Sequence, residues 1–114
     1  MAKFIYTIDV AHPPLEPEIV EKKLLAALLL VRNHAQLRVI KVIHGYGSSG
    51  HGGHTRETES NWAYSNRKHL TETIYGEEYS LFDAKTQSMR DECGELADPD
   101  LGQHNPGITL LWVK

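Results

Sequence analysis

Within its first 43 residues the chain changes hydrophobic period twice, and that change restricts the fold more than any other feature. Lys3 to Val10 alternates, placing Phe4, Tyr6, Ile8 and Val10 on one side of a strand. His12-Pro13-Pro14 ends it. From Pro17, which suits the first turn of a helix, Ile19, Val20, Leu24, Ala27, Leu28 and Val31 recur at helical spacing, with Glu18 and Glu21 near the positive end. That pattern predicts a helix to about His34. Leu37 to Ile43 is a near-continuous apolar run interrupted by Arg38 and Lys41, as expected of a central parallel strand rather than an exposed edge. Strand, helix and strand in this order imply a right-handed βαβ unit.

The remaining elements are shorter. Thr55 to Lys68 carries acids early and bases late, which is helical charge patterning, with Trp62 and Ala63 as its apolar face. Leu70 to Tyr75 alternates and reads as a strand ended by Gly76. Asp83 is placed to cap a helix from Ala84 to Cys93, with Gly94 as its left-handed stop. Asp98-Pro99-Asp100 and Asn105-Pro106-Gly107 are turns, and Ile108 to Val113 is a final strand. The expectation is one domain over residues 1–114 of the α/β class: a small two-layer mixed sheet of about four strands, in βαβαββ-like order, with two main helices.

A chain of 114 residues buries roughly two thirds of its unfolded surface without help from metals or disulfides. Cys93 is the single cysteine and Met1 to Phe4 lead straight into a strand pattern, so a cytoplasmic setting is expected. Leu24 to Val31 is eight residues long, against the roughly 20 that span a bilayer, so no membrane partner is expected. Net charge is −3, unevenly spread. Residues 30–70 carry Arg32, Arg38, Lys41, Arg56, Arg67 and Lys68 against Glu57 and Glu59, a balance of +4, whereas residues 71–114 stand at −6 and residues 1–29 at −1.

The basic third contains Val39 to Arg56, a β-branched run that stops at His44 and enters a loop with five glycines and two more histidines. Such strand ends are where α/β proteins place ligands, because side chains and bare N–H groups converge there. Gly45-Tyr46-Gly47-Ser48-Ser49-Gly50 has the literal spacing of a dinucleotide fingerprint, yet His51-Gly52-Gly53 delays the helix and Glu72 lies inside the third strand rather than at its end. His44, His51 and His54 are enough imidazoles for a zinc site, but no Cys or carboxylate stands at ligand spacing. Mg²⁺ or Mn²⁺ recruited with a phosphate substrate would need a carboxylate such as Asp9. Cys93 reads as a small helix-end residue, and Trp62 as core rather than a base-stacking platform, with Tyr64 the other stacking candidate. Asp9 and His44 end the first two strands. If these are adjacent and parallel, both emerge at one sheet edge, where His44 acts as general acid or base, Asp9 orients it or holds a cation, and loop N–H groups with Arg56 bind phosphate oxygens. A purely structural His44 fits the same residues.

Ile8-Asp9-Val10-Ala11-His12, then Ile43-His44-Gly45-Tyr46-Gly47, then Thr55-Arg56 and Trp62 six residues later, resemble in order the motifs of the Smr (small MutS-related) domain family. In register, that family's first-motif histidine falls on Ala11, with His12 one residue on, and residues 76–107 form an insertion. The resemblance implies a fold similar to the C-terminal domain of bacterial translation initiation factor three, and binding of DNA or RNA, with nicking or endonuclease activity in several relatives. Taken with the reading of the strand ends, the expected catalytic residues are Asp9, His44 and, if the backbone shifts by one residue before Pro13, His12, and the expected nucleic-acid or phosphate contacts are Gly45, Tyr46, Gly47, His51, His54 and Arg56. Two rival expectations stand beside it: a non-catalytic DNA- or RNA-binding module, and a binder of a small phosphate or nucleotide.

Overall fold

β1 (Ile5–Asp9), α1 (Pro17–Arg32) and β2 (Val39–Ile43) make the expected unit, and β1 pairs parallel with β2 in the register Ile5↔Val39 to Asp9↔Ile43. The computed structural model describes residues 4–45, 52–95 and 97–114. The chain continues through α2 (Gly52–Ser65), a 3₁₀ turn (Arg67–His69), β3 (Leu70–Tyr75), α3 (Ala84–Cys93) and β4 (Ile108–Val113). The sheet order is β1-β2-β4-β3, with β4 antiparallel to both neighbours. This is the mixed four-stranded α/β sheet that the periodicity predicts. β4 is buried along its whole length, which its unbroken run Ile-Thr-Leu-Leu-Trp-Val requires. No helix among the described residues is long and apolar enough to cross a membrane.

Strand alternation divides the core in two. Ile40, Val42, Leu111 and Val113 face α1 and α2 and pack with Val20, Leu24, Ala27, Leu28, Val31, Trp62 and Ala63. Val39, Leu110 and Trp112 face the other way, where Tyr79, Met89 and Ile108 meet them. Each of the larger side chains contributes roughly 1.5–3 kcal/mol by leaving water. The two main helices therefore form one layer on the sheet, and residues 76–107, with the short α3, cover its back.

Two local expectations need correction. α2 opens at Gly52, ahead of Thr55, so its acids fall mid-helix and neither end carries the expected charges. A first turn leaves its N–H groups unbonded within the helix, so glycines there forfeit less than in a helix interior. Arg67 and Lys68 fall in the 3₁₀ turn instead. Asp83 caps α3 by accepting from Thr86 N at 2.9 Å, as expected, and Gly94 ends it with φ 129° and ψ 153°, a positive-φ stop outside the compact left-handed helical well.

The back face is held by a buried ion cluster. Lys41 sits on the pleat facing residues 76–107, and its Nζ donates to Asp98 Oδ1 at 2.6 Å and Asp100 Oδ2 at 2.7 Å. Tyr79 donates to Asp98 Oδ2 at 2.7 Å. Burial raises the Asp98 carboxyl, but the Lys41 ammonium and the Tyr79 hydroxyl outweigh it and hold the pKa below the ordinary value.

Candidate functional site

The parallel β1–β2 pair delivers Asp9 and His44 to the same edge of the sheet, as expected, but to opposite sides of it. Asp9 is in register with Ile43, the residue before His44. Because successive side chains alternate, His44 belongs to the α2 face and Asp9 to the other.

His44 is fully buried. Its Nδ1 lies 2.6 Å from Gly45 O and its Nε2 2.8 Å from Thr109 Oγ1. A carbonyl only accepts, so Nδ1 carries the proton and Nε2 accepts from the Thr109 hydroxyl. Burial is the main cause holding the imidazole pKa down, with Arg56 adding to it and Gly45 O and Glu77 opposing it. His44 is thus neutral at pH 7 with both nitrogens engaged. Its backbone N–H and that of Gly45 both donate to Gly107 O, locking the strand end to β4.

Asp9 works with His12 rather than with His44. Its Oδ1 accepts from Ala11 N at 2.9 Å and His12 N at 3.1 Å, and its Oδ2 lies 2.9 Å from His12 Nδ1. Burial opposes the charge, but these donors win, and the Asp9 pKa is lowered. Ala11 is buried, whereas the His12 side chain is 70% exposed. The residue in the family's register is therefore core packing, and its neighbour carries the imidazole.

Arg56 is engaged by described neighbours. Its guanidinium donates to Glu77 at 2.9 Å and to Pro106 O at 3.1 Å, tying α2 to both ends of residues 76–107. Burial raises the Glu77 carboxyl, yet its hydrogen bonds and the Arg56 charge bring its pKa below normal. His54 is exposed, in a cleft of about 440 Å³ between the starts of α1 and α2 that is also lined by Glu16 and Glu57. Tyr46, Gly47 and His51 lie outside the described residues. Among the described residues no three His, Cys, Asp or Glu side chains converge to hold a metal ion. Cys93 is partly buried, and burial raises its thiol pKa, as fits a packing residue.

No protein-family model, curated protein or solved structure matches the chain. The Smr resemblance rests on the residues quoted above.

Two of the six cations of the basic third are not available to a partner. Lys41 and Arg56 are neutralised by Asp98, Asp100 and Glu77 of the acidic third. Arg32 and Arg38 lie where β2 begins and Arg67 and Lys68 where β3 begins, the edge opposite Asp9, and Lys114 follows β4 there. These five form no ion pair among the described residues.

One buried group escaped the sequence reading. Glu59 of α2 is fully buried, with Ser60 Oγ at 3.5 Å from Oε2 and no hydrogen-bond partner for Oε1 among the described residues. Burial pushes its pKa up to about 7, against the lowering effects of Ser60 and Arg56; the Thr109 hydroxyl spends its one proton on His44. The available signal was spacing: Thr55, Glu59 and Ala63 recur every fourth residue, a buried helical stripe. Because the folded pKa lies above the unfolded one, Glu59 contributes a stability term that is fully present below about pH 4.5 and lost as pH rises towards 7. The loss is on the order of 3 kcal/mol. Urea titrations at pH 5 and pH 8 should show Glu59→Gln abolishing most of this slope and exceeding wild type in stability at pH 8. Parallel pH profiles for the two proteins would refute it.

Proposed function

We propose that the chain is an Smr-like nucleic-acid-binding domain whose working chemical group is the exposed Asp9–His12 pair. One observation supports this above all: the Asp9 carboxylate holds His12 through Nδ1, leaving Nε2 as the free nitrogen of an exposed ring. An imidazole fixed in one tautomer by a carboxylate is suited to take a proton from an attacking hydroxyl or water and return one to a leaving oxygen. His44, buried and doubly bonded, shapes the rim by fixing Gly45 and β4 and takes no proton from substrate. The described residues offer no cation cage, so a divalent ion would rely on Asp9 together with water and substrate oxygens.

Nicking of supercoiled plasmid and cleavage of structured RNA by the full chain test this. His12→Ala should lower turnover ~10²–10⁴-fold with the fold intact, and Asp9→Asn should lower it through loss of the oriented tautomer. Equal turnover in wild type and His12→Ala would remove the catalytic claim.

A non-catalytic binding module is favoured by a different observation, the set Arg32, Arg38, Arg67, Lys68 and Lys114 gathered on the edge away from the pair. In that case Arg67→Glu with Lys68→Glu should weaken binding and flatten its steep dependence on salt. A single phosphate or nucleotide ligand would respond far less to salt.

A further inference from the structure

Arg56 brings a cation to the rim that bears Asp9, and the chain's own carboxylate occupies it. β1, β2 and β3 end and β4 begins at one edge of the sheet, in the spatial order β1-β2-β4-β3. Asp9 closes β1 at that edge, and Glu77 follows the end of β3 by two residues. Three strand spacings, roughly 14 Å, separate β1 from β3. That is about four steps of a nucleic-acid strand at ~3.4 Å each. Arg32, Arg38, Arg67, Lys68 and Lys114 all lie at the opposite edge.

Arg56 stands in the second turn of α2, and the first turn of that helix carries no acid. An uncompensated helix start adds partial positive charge to that of the guanidinium. Glu77 answers both from outside the helix. Its Oε2 and Oε1 lie 2.9 and 3.3 Å from Arg56 Nη2, so one guanidinium nitrogen spans both carboxylate oxygens. Two contacts hold Arg56 without Glu77: Nη1 donates to Pro106 O at 3.1 Å, and the Tyr75 ring lies 6.0 Å from the guanidinium carbon. The Arg56 and Glu77 side chains are 31% and 45% exposed, and pairs so open to water hold weakly. A phosphodiester offers the same charge and a similar pair of oxygens, and arginine–phosphate contacts are among the strong charge-assisted ones.

We infer that Arg56 is an anion subsite of the rim, filled in the free chain by the Glu77 carboxylate, which a phosphate of the bound strand displaces. Which polyanion supplies the phosphate rests on the functional reading above, whereas the site rests on the contacts of Arg56. Glu77 is a tethered competitor, and its effective concentration sets the affinity that an incoming phosphate must exceed. A strand that lies along the rim from the Asp9–His12 pair reaches Arg56 within a few nucleotides.

Calorimetric titration of the full chain with inorganic pyrophosphate, and in parallel with an RNA hairpin, tests the subsite. Glu77→Gln keeps an oxygen for Arg56 and removes the charge. It should tighten both ligands at least ~3-fold and steepen the salt dependence of RNA binding by about one charge. Glu78→Gln, at the exposed neighbour, measures what net charge alone does. Adding Arg56→Gln to Glu77→Gln should abolish the gain, with circular dichroism as the check on folding. If that double variant does not fold, the comparison with Glu78→Gln decides. A pyrophosphate gain no larger than that of Glu78→Gln, or one that survives the loss of Arg56, would overturn the inference. Pyrophosphate separates the two readings. A gain specific to Glu77 with no RNA bound by any variant would leave the subsite standing and overturn the functional reading, and RNA binding without any such gain would do the reverse.

Discussion

Replacing Lys41 by Met is expected to destabilise the fold by about 3–5 kcal/mol. The ammonium neutralises Asp98 and Asp100 at 2.6 and 2.7 Å, and its side chain and that of Asp98 are 8% and 3% exposed. Removing it leaves the buried Asp98 carboxylate and the partly exposed Asp100 facing an apolar thioether. The methylene stem is matched by Met, so the deficit reads charge rather than volume. Asp98 supplies the pH signature. Its folded pKa is depressed, so the pair stabilises above the unfolded carboxylate value and loses that contribution as pH falls through the folded one. The gap between wild type and Lys41→Met should therefore be widest near pH 7 and narrow below about pH 4. Adding Asp98→Asn and Asp100→Asn should restore part of the loss. Chemical unfolding of the three proteins tests this, and a deficit under about 1 kcal/mol at pH 7 would mean that the cluster is solvated and weak.

Gly76→Ala should be comparably damaging for a steric reason. A Cβ at Gly76 would stand 1.8 Å from Asn105 O, 2.7 Å from Ile108 Cγ1 and 2.8 Å from Ile108 O. Two of these are backbone atoms of the segment entering β4, and Gly76 N donates to Ile108 O at 2.9 Å. Relief requires moving the segment that carries Asn105 off the sheet edge. We expect a loss of about 3 kcal/mol or more, a fall in Tm of roughly 10–20 °C for a domain of this size. Gly102→Ala is the contrasting case. Gly102 has φ +82° with nothing within 4 Å of a built Cβ, so only the backbone term of about 1–2 kcal/mol applies. Equal Tm values for the two variants would contradict the packing at Gly76.

The candidate site was legible in part. Asp9 and His44 sit at one sheet edge because two parallel strands end there, and period alone reveals both strands. Their separation to opposite faces follows from a one-residue offset, Asp9 against Ile43, that hydrogen-bond register decides. Likewise the run Asp9 to His12 shows an acid and an imidazole three residues apart, but only the turn of the chain shows that Ala11 is buried and that His12 reaches the carboxylate. Arg56 and Lys41 look free in the sequence because their partners are distant in it. Lys41 meets Asp98 57 positions later, and Arg56 meets Glu77 21 positions later.

The amino-acid order by itself determined the elements of this protein and their succession, because helical and strand periods, Asp83 at a cap and glycines at turns act over a few residues of chain. Tertiary structure alone decided which charges remain available to a partner. Pairing between the basic and acidic thirds depends on residues 76–107 lying against the back of the sheet. The burial of Glu59 and His44 around Thr109 depends on α2 packing across β4. Desolvation and Coulomb attraction act through space, and the spacing of residues along a chain does not specify those distances.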